Sequence, residues 1–162
     1  MFDQLKITDH HIYTGGGLPK MTAIGYQYLL AGNGLFVQAQ NLHWQAVILV
    51  AACVVRGLPL LQTQVVCRHG QIPSQLLTRI LVDARDTSQQ GQFIEMLYRI
   101  HWREDGTWYV TKPPQEASPT WVKTSVPADG STVLELHTHG KYAPCFSSTD
   151  NEDEKEPGTG YV

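Results

Sequence analysis

From Tyr26 to Cys67 the chain is a series of short runs rich in β-branched and aromatic residues: "YQYLLA", "GLFVQAQ", "HWQAVILVAACVV" and "LLQTQVVC". They are separated by "GNG", "NL" and "RGLP", residues that end strands and supply turns. The pattern predicts an antiparallel β unit over about 24–68, with its tightest hairpin at "AGNG", Ala31 to Gly34. The preceding residues, which carry "TGGGLPK", read as a turn-rich loop to about position 22. After "RHGQIP" the period changes. Leu76, Leu77, Ile80, Leu81 and Ala84 recur at spacings of three and four behind Pro73, which predicts one long helix over 73–90. Strand texture then returns in "QFIEMLYRIHW", "GTWYVTK", "TWVKTSV" and "STVLELHTH", with "REDG" and "PADG" as hairpin punctuation. The acidic segment "SSTDNEDEKE" is stopped by Pro157 and Gly158. The expected organisation is a β-rich unit over 1–69 and an α+β (mixed α/β) domain over 70–162.

Composition narrows the function classes. Hydrophobic residues make up 42% of the 162 positions and charged residues 17%, enough for a real core. The net charge of −3 gives no electrostatic case for nucleic acid or an anionic membrane. The longest apolar run, Ala46 to Val55, is about half of what a membrane-spanning helix needs, and the N-terminus lacks the pattern of a signal peptide. Cys53, Cys67 and Cys145 are odd in number and form no C-x-x-C pair, which points to a reducing compartment. A soluble, cytoplasmic protein is expected.

The chemistry concentrates in "ELHTHGKYAPCFSSTD", residues 135–150. Alternate residues of a strand face the same side about 6–7 Å apart, so His137 and His139 can aim at one point. Asp150, eleven residues after His139, can return as a third ligand through the intervening loop. Two histidines, a carboxylate and an open position form the pattern of a catalytic zinc site. Against this stands a plain reading, in which Ser147 to Asp150 cap a helix and the histidines end a strand. The joint spacing H-x-H-x7-S-x2-D shifts the balance toward the ligand set, because chance explains it poorly. With seven His, seven Ser and eight Asp in this chain, independent placement predicts on the order of 0.001 matches.

That joint pattern resembles the signature of the JAMM (MPN+, JAB-domain) zinc metallopeptidases, which cleave peptide or isopeptide bonds after ubiquitin or ubiquitin-like tails. The resemblance implies an MPN-like domain with a mixed sheet and flanking helix over about 70–162. It implies Zn2+ held by His137, His139 and Asp150, with Ser147 as the polarising hydroxyl. It also implies a general-base glutamate at the head of the strand after the first helix. Glu95 in "GQFIEMLYRIHW" has that position. Glu135 is the rival, because it shares the face of the two histidines, and Glu116 in "PPQEASP" is a third candidate. Cys145 as a fourth ligand would close the open position the chemistry needs.

In the implied reaction a metal-activated water attacks the scissile carbonyl while the glutamate relays its proton to the leaving amine. The partner is then a ubiquitin-like protein or its conjugate. Over its whole length the chain also resembles the JAB-type proteins of the bacterial PRTRC plasmid system, which are encoded with an activating-enzyme-like and a ubiquitin-like partner. Two departures accompany the resemblance. The usual proline after the second histidine is Gly140, and the family's further strands beyond the S-x-x-D helix are missing, which implies a shortened domain. The alternative function is a non-catalytic MPN-like scaffold that recruits a ubiquitin-like partner. A cupin-type β protein fits less well, because no histidine follows His139.

Overall fold

Strands dominate the computed structural model, which describes residues 8–22, 24–89 and 94–139. The chain divides into two units, residues 1–70 and 71–162. In the first, β1 (His10–Ile12), β2 (Gly25–Ala31), β3 (Gly34–Gln40), β4 (Trp44–Ala52) and β5 (Gln64–Cys67) lie side by side in chain order. All pairings are antiparallel except β1 with β2, which is parallel. The β2–β3 hairpin turns at Gly32 and Asn33, and the Asn33 side chain exchanges two 2.9 Å hydrogen bonds with the backbone of Leu61. Gly34 opens β3 at φ +153°, and a Cβ there would strike the Ala51 carbonyl, so only glycine fits. Leu29, Ala31, Phe36, Val47 and Leu61 form the core on one face of this sheet. The segment read from sequence as a loop to position 22 therefore contributes a strand. "HHI" is too short to alternate, and only its pairing reveals it.

The second unit opens with α1 (Ser74–Gln89). Next come β6 (Leu97–Trp102) and β7 (Trp108–Thr111), and after the two-residue strands β8 (Glu116–Ala117) and β9 (Val122–Lys123) comes β10 (Thr132–His137). The order β10-β6-β7 makes a three-stranded antiparallel sheet, and β8 with β9 makes a separate two-stranded one. Ile80 of α1 joins Met96, Tyr98, Ile100 and Leu134 in the core, with Leu76 packed against it. The buried stripe is narrower than the apolar pattern, since Leu77 and Leu81 are exposed. The Tyr98 hydroxyl donates to Asp83 Oδ2 at 2.7 Å and Lys112 Nζ lies 3.0 Å from the same oxygen, which ties helix to sheet. These two donors hold the Asp83 carboxyl below its ordinary pKa.

An α+β domain of the MPN type, with a mixed sheet and flanking helix, is not what forms. The fold is mostly β: among the described residues ten strands lie in three sheets, against one helix. The physical reason is connection length. A parallel strand pair in one sheet needs a long crossover, usually a helix. Here α1 precedes its sheet, and the short turn at 103–107 folds β7 back antiparallel on β6. The only parallel pairing among the described residues lies in the other unit, at β1 and β2. No helix among the described residues is long and apolar enough to cross a membrane.

Candidate metal centre

Strand alternation gives the β10-β6-β7 sheet two different faces. Leu134 and Leu136 of β10, with Tyr98 and Ile100 of β6, turn toward α1. The opposite face collects the polar residues: Glu135 and His137 of β10, Arg99 and His101 of β6, Tyr109 and Thr111 of β7. The antiparallel register sets Glu135 against Arg99 and His137 against Leu97. The ladder runs one residue further. Thr138 N donates to Met96 O at 3.0 Å, and Met96 N donates to Thr138 Oγ1 at 3.0 Å. Continuing that register places Glu95 beside His139.

Glu95 is held from its other side as well. Its amide donates to Ser118 O at 2.8 Å, and the Leu97 amide donates to Gln115 Oε1 at 2.9 Å. The side chain is 9% exposed, and its Oε1 lies 3.9 Å from His139 Nδ1. His137 and His139 are half-buried, with their Nε2 atoms 3.0 Å apart and their rings tilted by 42°. Two nitrogens bound at about 2.0–2.1 Å to a tetrahedral zinc stand roughly 3.3 Å apart. The observed pair is within a few tenths of that spacing, so the two imidazoles fit a shared metal ion. The same spacing suits an N–H···N hydrogen bond between neutral rings.

The structure thus brings His137, His139 and Glu95 together. It engages Glu135 elsewhere. The Glu135 Oε1 accepts from Arg99 Nε at 2.5 Å, with side chains 9% and 6% exposed. The Arg99 fork also donates to Pro127 O at 3.1 Å and Val126 O at 2.8 Å. Glu116 is exposed on the small β8–β9 hairpin, opposite Lys123. Asp150 and Ser147, the expected third ligand and hydroxyl, and Cys145 lie outside the described residues. Among the described residues no group of three or more His, Cys, Asp or Glu side chains is placed to hold a metal.

Two contributors were missed in the sequence. Thr138, between the two histidines, supplies the hydroxyl that extends the ladder, and nothing in "HTH" marks that use. Arg99 did leave a signal, as a lone cation in the otherwise apolar "MLYRI". A buried charge of this kind requires a partner.

Further along the same face, His101 is buried and stacked on Tyr109 at 4.6 Å. Its Nδ1 is 3.0 Å from Ser131 Oγ and its Nε2 is 2.8 Å from Thr111 Oγ1. Burial pulls its pKa below the ordinary 6.5, opposed by the attraction of Asp129. A folded-state pKa below the unfolded value means that the unfolded chain binds the proton more readily. Stability is therefore full above about pH 6.5 and falls as the pH drops through that value toward the folded pKa. The expected result is a lower urea midpoint at about pH 5.5 than at about 7.5, a difference reduced in His101→Gln. Identical pH dependence in the two proteins would remove His101 as its source.

No protein-family model, curated protein or solved structure matches the chain.

Proposed function

We propose that the chain is a zinc-dependent metallo(iso)peptidase that hydrolyses an amide or isopeptide bond at the C-terminus of a ubiquitin-like protein. His137, His139 and Asp150 would hold the metal, Glu95 would act as general base and Ser147 would polarise the scissile carbonyl. The observation that carries this reading is the convergence of His137 and His139 Nε2 at 3.0 Å, with the Glu95 carboxylate 3.9 Å from His139. The H-x-H-x7-S-x2-D spacing extends it to the residues outside the described part. The proposal rests on that signature and not on an MPN-type fold.

When bound, zinc supplies a Lewis acid that polarises the carbonyl and makes water nucleophilic near neutral pH. The protein's own groups do the rest. The imidazoles would offer their Nε2 lone pairs, and the backbone bonds of residues 95–97 fix the point from which the Glu95 carboxylate reaches. That carboxylate takes the proton from the attacking water and returns it to the departing amine, a lysine side chain or an α-amino group. No cysteine is required. The free thiols at exposed Cys53 and half-buried Cys67 support a reducing, cytoplasmic setting.

The test is cleavage of a ubiquitin-like protein fused through its C-terminus to a reporter, with the zinc-loaded full chain. Cleavage that stops with a chelator and returns with zinc is the expected result. Zinc uptake without cleavage of any such fusion would favour the scaffold reading.

A further inference from the structure

Both faces of the β1–β5 sheet carry apolar residues, and its own chain supplies a core for one of them. Leu29, Phe36 and Val47 on that face are buried with Leu61, and Tyr13 and Leu18 pack against them. The register puts a different set on the other side. Tyr28 stands against Val37, Val37 against Ile48, Ala46 against Val65, and Leu30 against Leu35. An antiparallel sheet with one solvated face alternates apolar with polar residues. In β4 that alternation is lost from Ala46 to Ala52, which is why "AVILVAACVV" reads as an unbroken apolar run, and the glutamines of the sheet, Gln27, Gln38, Gln40, Gln45 and Gln64, all lie on the core side. Tyr26 remains 55% exposed, Ile48 45% and Val65 59%. Tyr26 meets Tyr28 edge-on at 5.9 Å and His10 stacks on Tyr28 at 5.2 Å, so the face also carries an aromatic cluster of the kind enriched at interface centres.

We infer that this second face is a homodimer interface, on which a second copy of the chain packs sheet to sheet about a twofold axis. Charge is the first argument for a copy over another partner. No Asp, Glu, Lys or Arg occupies the outward positions of β1 to β5 on this side. Two identical faces can therefore meet with no like charges opposed, and the face has no ionic pattern to select a different partner. Size is the second argument. The strands have 3, 7, 7, 9 and 4 residues. At about 16 Å2 per strand residue they tile roughly 500 Å2. That is as large as the largest apolar patch on a typical monomer. Two copies together cover roughly 1,000 Å2, the threshold for a specific interface, before side-chain relief adds to it.

Sedimentation velocity on the full chain tests this. Wild type at about 100 μM should sediment as a dimer and dissociate on dilution, as expected for micromolar or tighter affinity. Ile48→Arg and Val65→Arg, on different strands and both already exposed, should each weaken association at least about 100-fold. Their far-UV circular dichroism and melting should stay as in wild type, since neither side chain belongs to the core on the other face. A wild-type monomer at about 100 μM would overturn the inference, whatever else covers the face. Folded variants that remain dimeric would overturn it too, by placing the interface elsewhere.

Discussion

Arg99→Met is expected to destabilise the second unit by about 3–5 kcal/mol, the scale of leaving one buried partner of an ion pair without the other. Arg99 and Glu135 are 6% and 9% exposed, so the remaining carboxylate would have little water to turn to. The substitution also removes the guanidinium's bonds to the Val126 and Pro127 carbonyls. The loss should therefore exceed that of an exposed ion pair several-fold. Replacing both partners by Met and Leu should recover much of it, because two apolar side chains need no compensation. Urea unfolding of the two variants and wild type measures this. A single variant within about 1 kcal/mol of wild type would mean that Glu135 finds another partner or water.

Glu95→Gln should lower hydrolysis of a ubiquitin-like fusion by about 100-fold or more, roughly 2.7 kcal/mol of transition-state stabilisation. Glutamine keeps the shape and the hydrogen-bonding reach but cannot take up the proton. Fold and zinc affinity should be retained, because Glu95 is anchored by its backbone and is not among the proposed ligands. Glu135→Gln should act differently. It weakens the bond to Arg99 and hence stability, yet leaves the rate per folded, zinc-loaded molecule within a few-fold of wild type. Rates normalised to zinc content separate the two. The reverse ranking would make Glu135 the general base.

The helix and the last strand were legible for a simple reason: each follows its own period. α1 covers Ser74–Gln89 where spacings of three and four predicted 73–90, and β10 (Thr132–His137) falls within the strand texture of "STVLELHTH" but stops two residues short of its end. What could not be read was how strands choose neighbours. β1 has three residues and no alternation, and "TWVKTSV" yields only the two residues of β9. Local texture does not say whether such segments pair, because pairing is a property of two segments. The same limit explains the misread fold class. Strand texture around one helix suits an α+β domain and a mostly β chain equally well.

At the site, side-chain parity put Glu135 on the face of the histidines, and the structure has it there. Parity cannot show that Arg99 engages it. The proximity of Glu95 to His139 likewise depends on the register of β6 against β10, which Thr138 and Met96 carry past the last strand residues. No local pattern contains that register.

Zinc stoichiometry is the most direct measurement of a metal centre built on His137 and His139. Protein purified without chelator at about pH 7.5 should carry one zinc per chain by elemental analysis. His137→Ala, His139→Ala and Asp150→Ala should each lose it while keeping the wild-type circular dichroism spectrum. Wild-type protein that contains no zinc, and takes up none when titrated with it at that pH, would contradict the account.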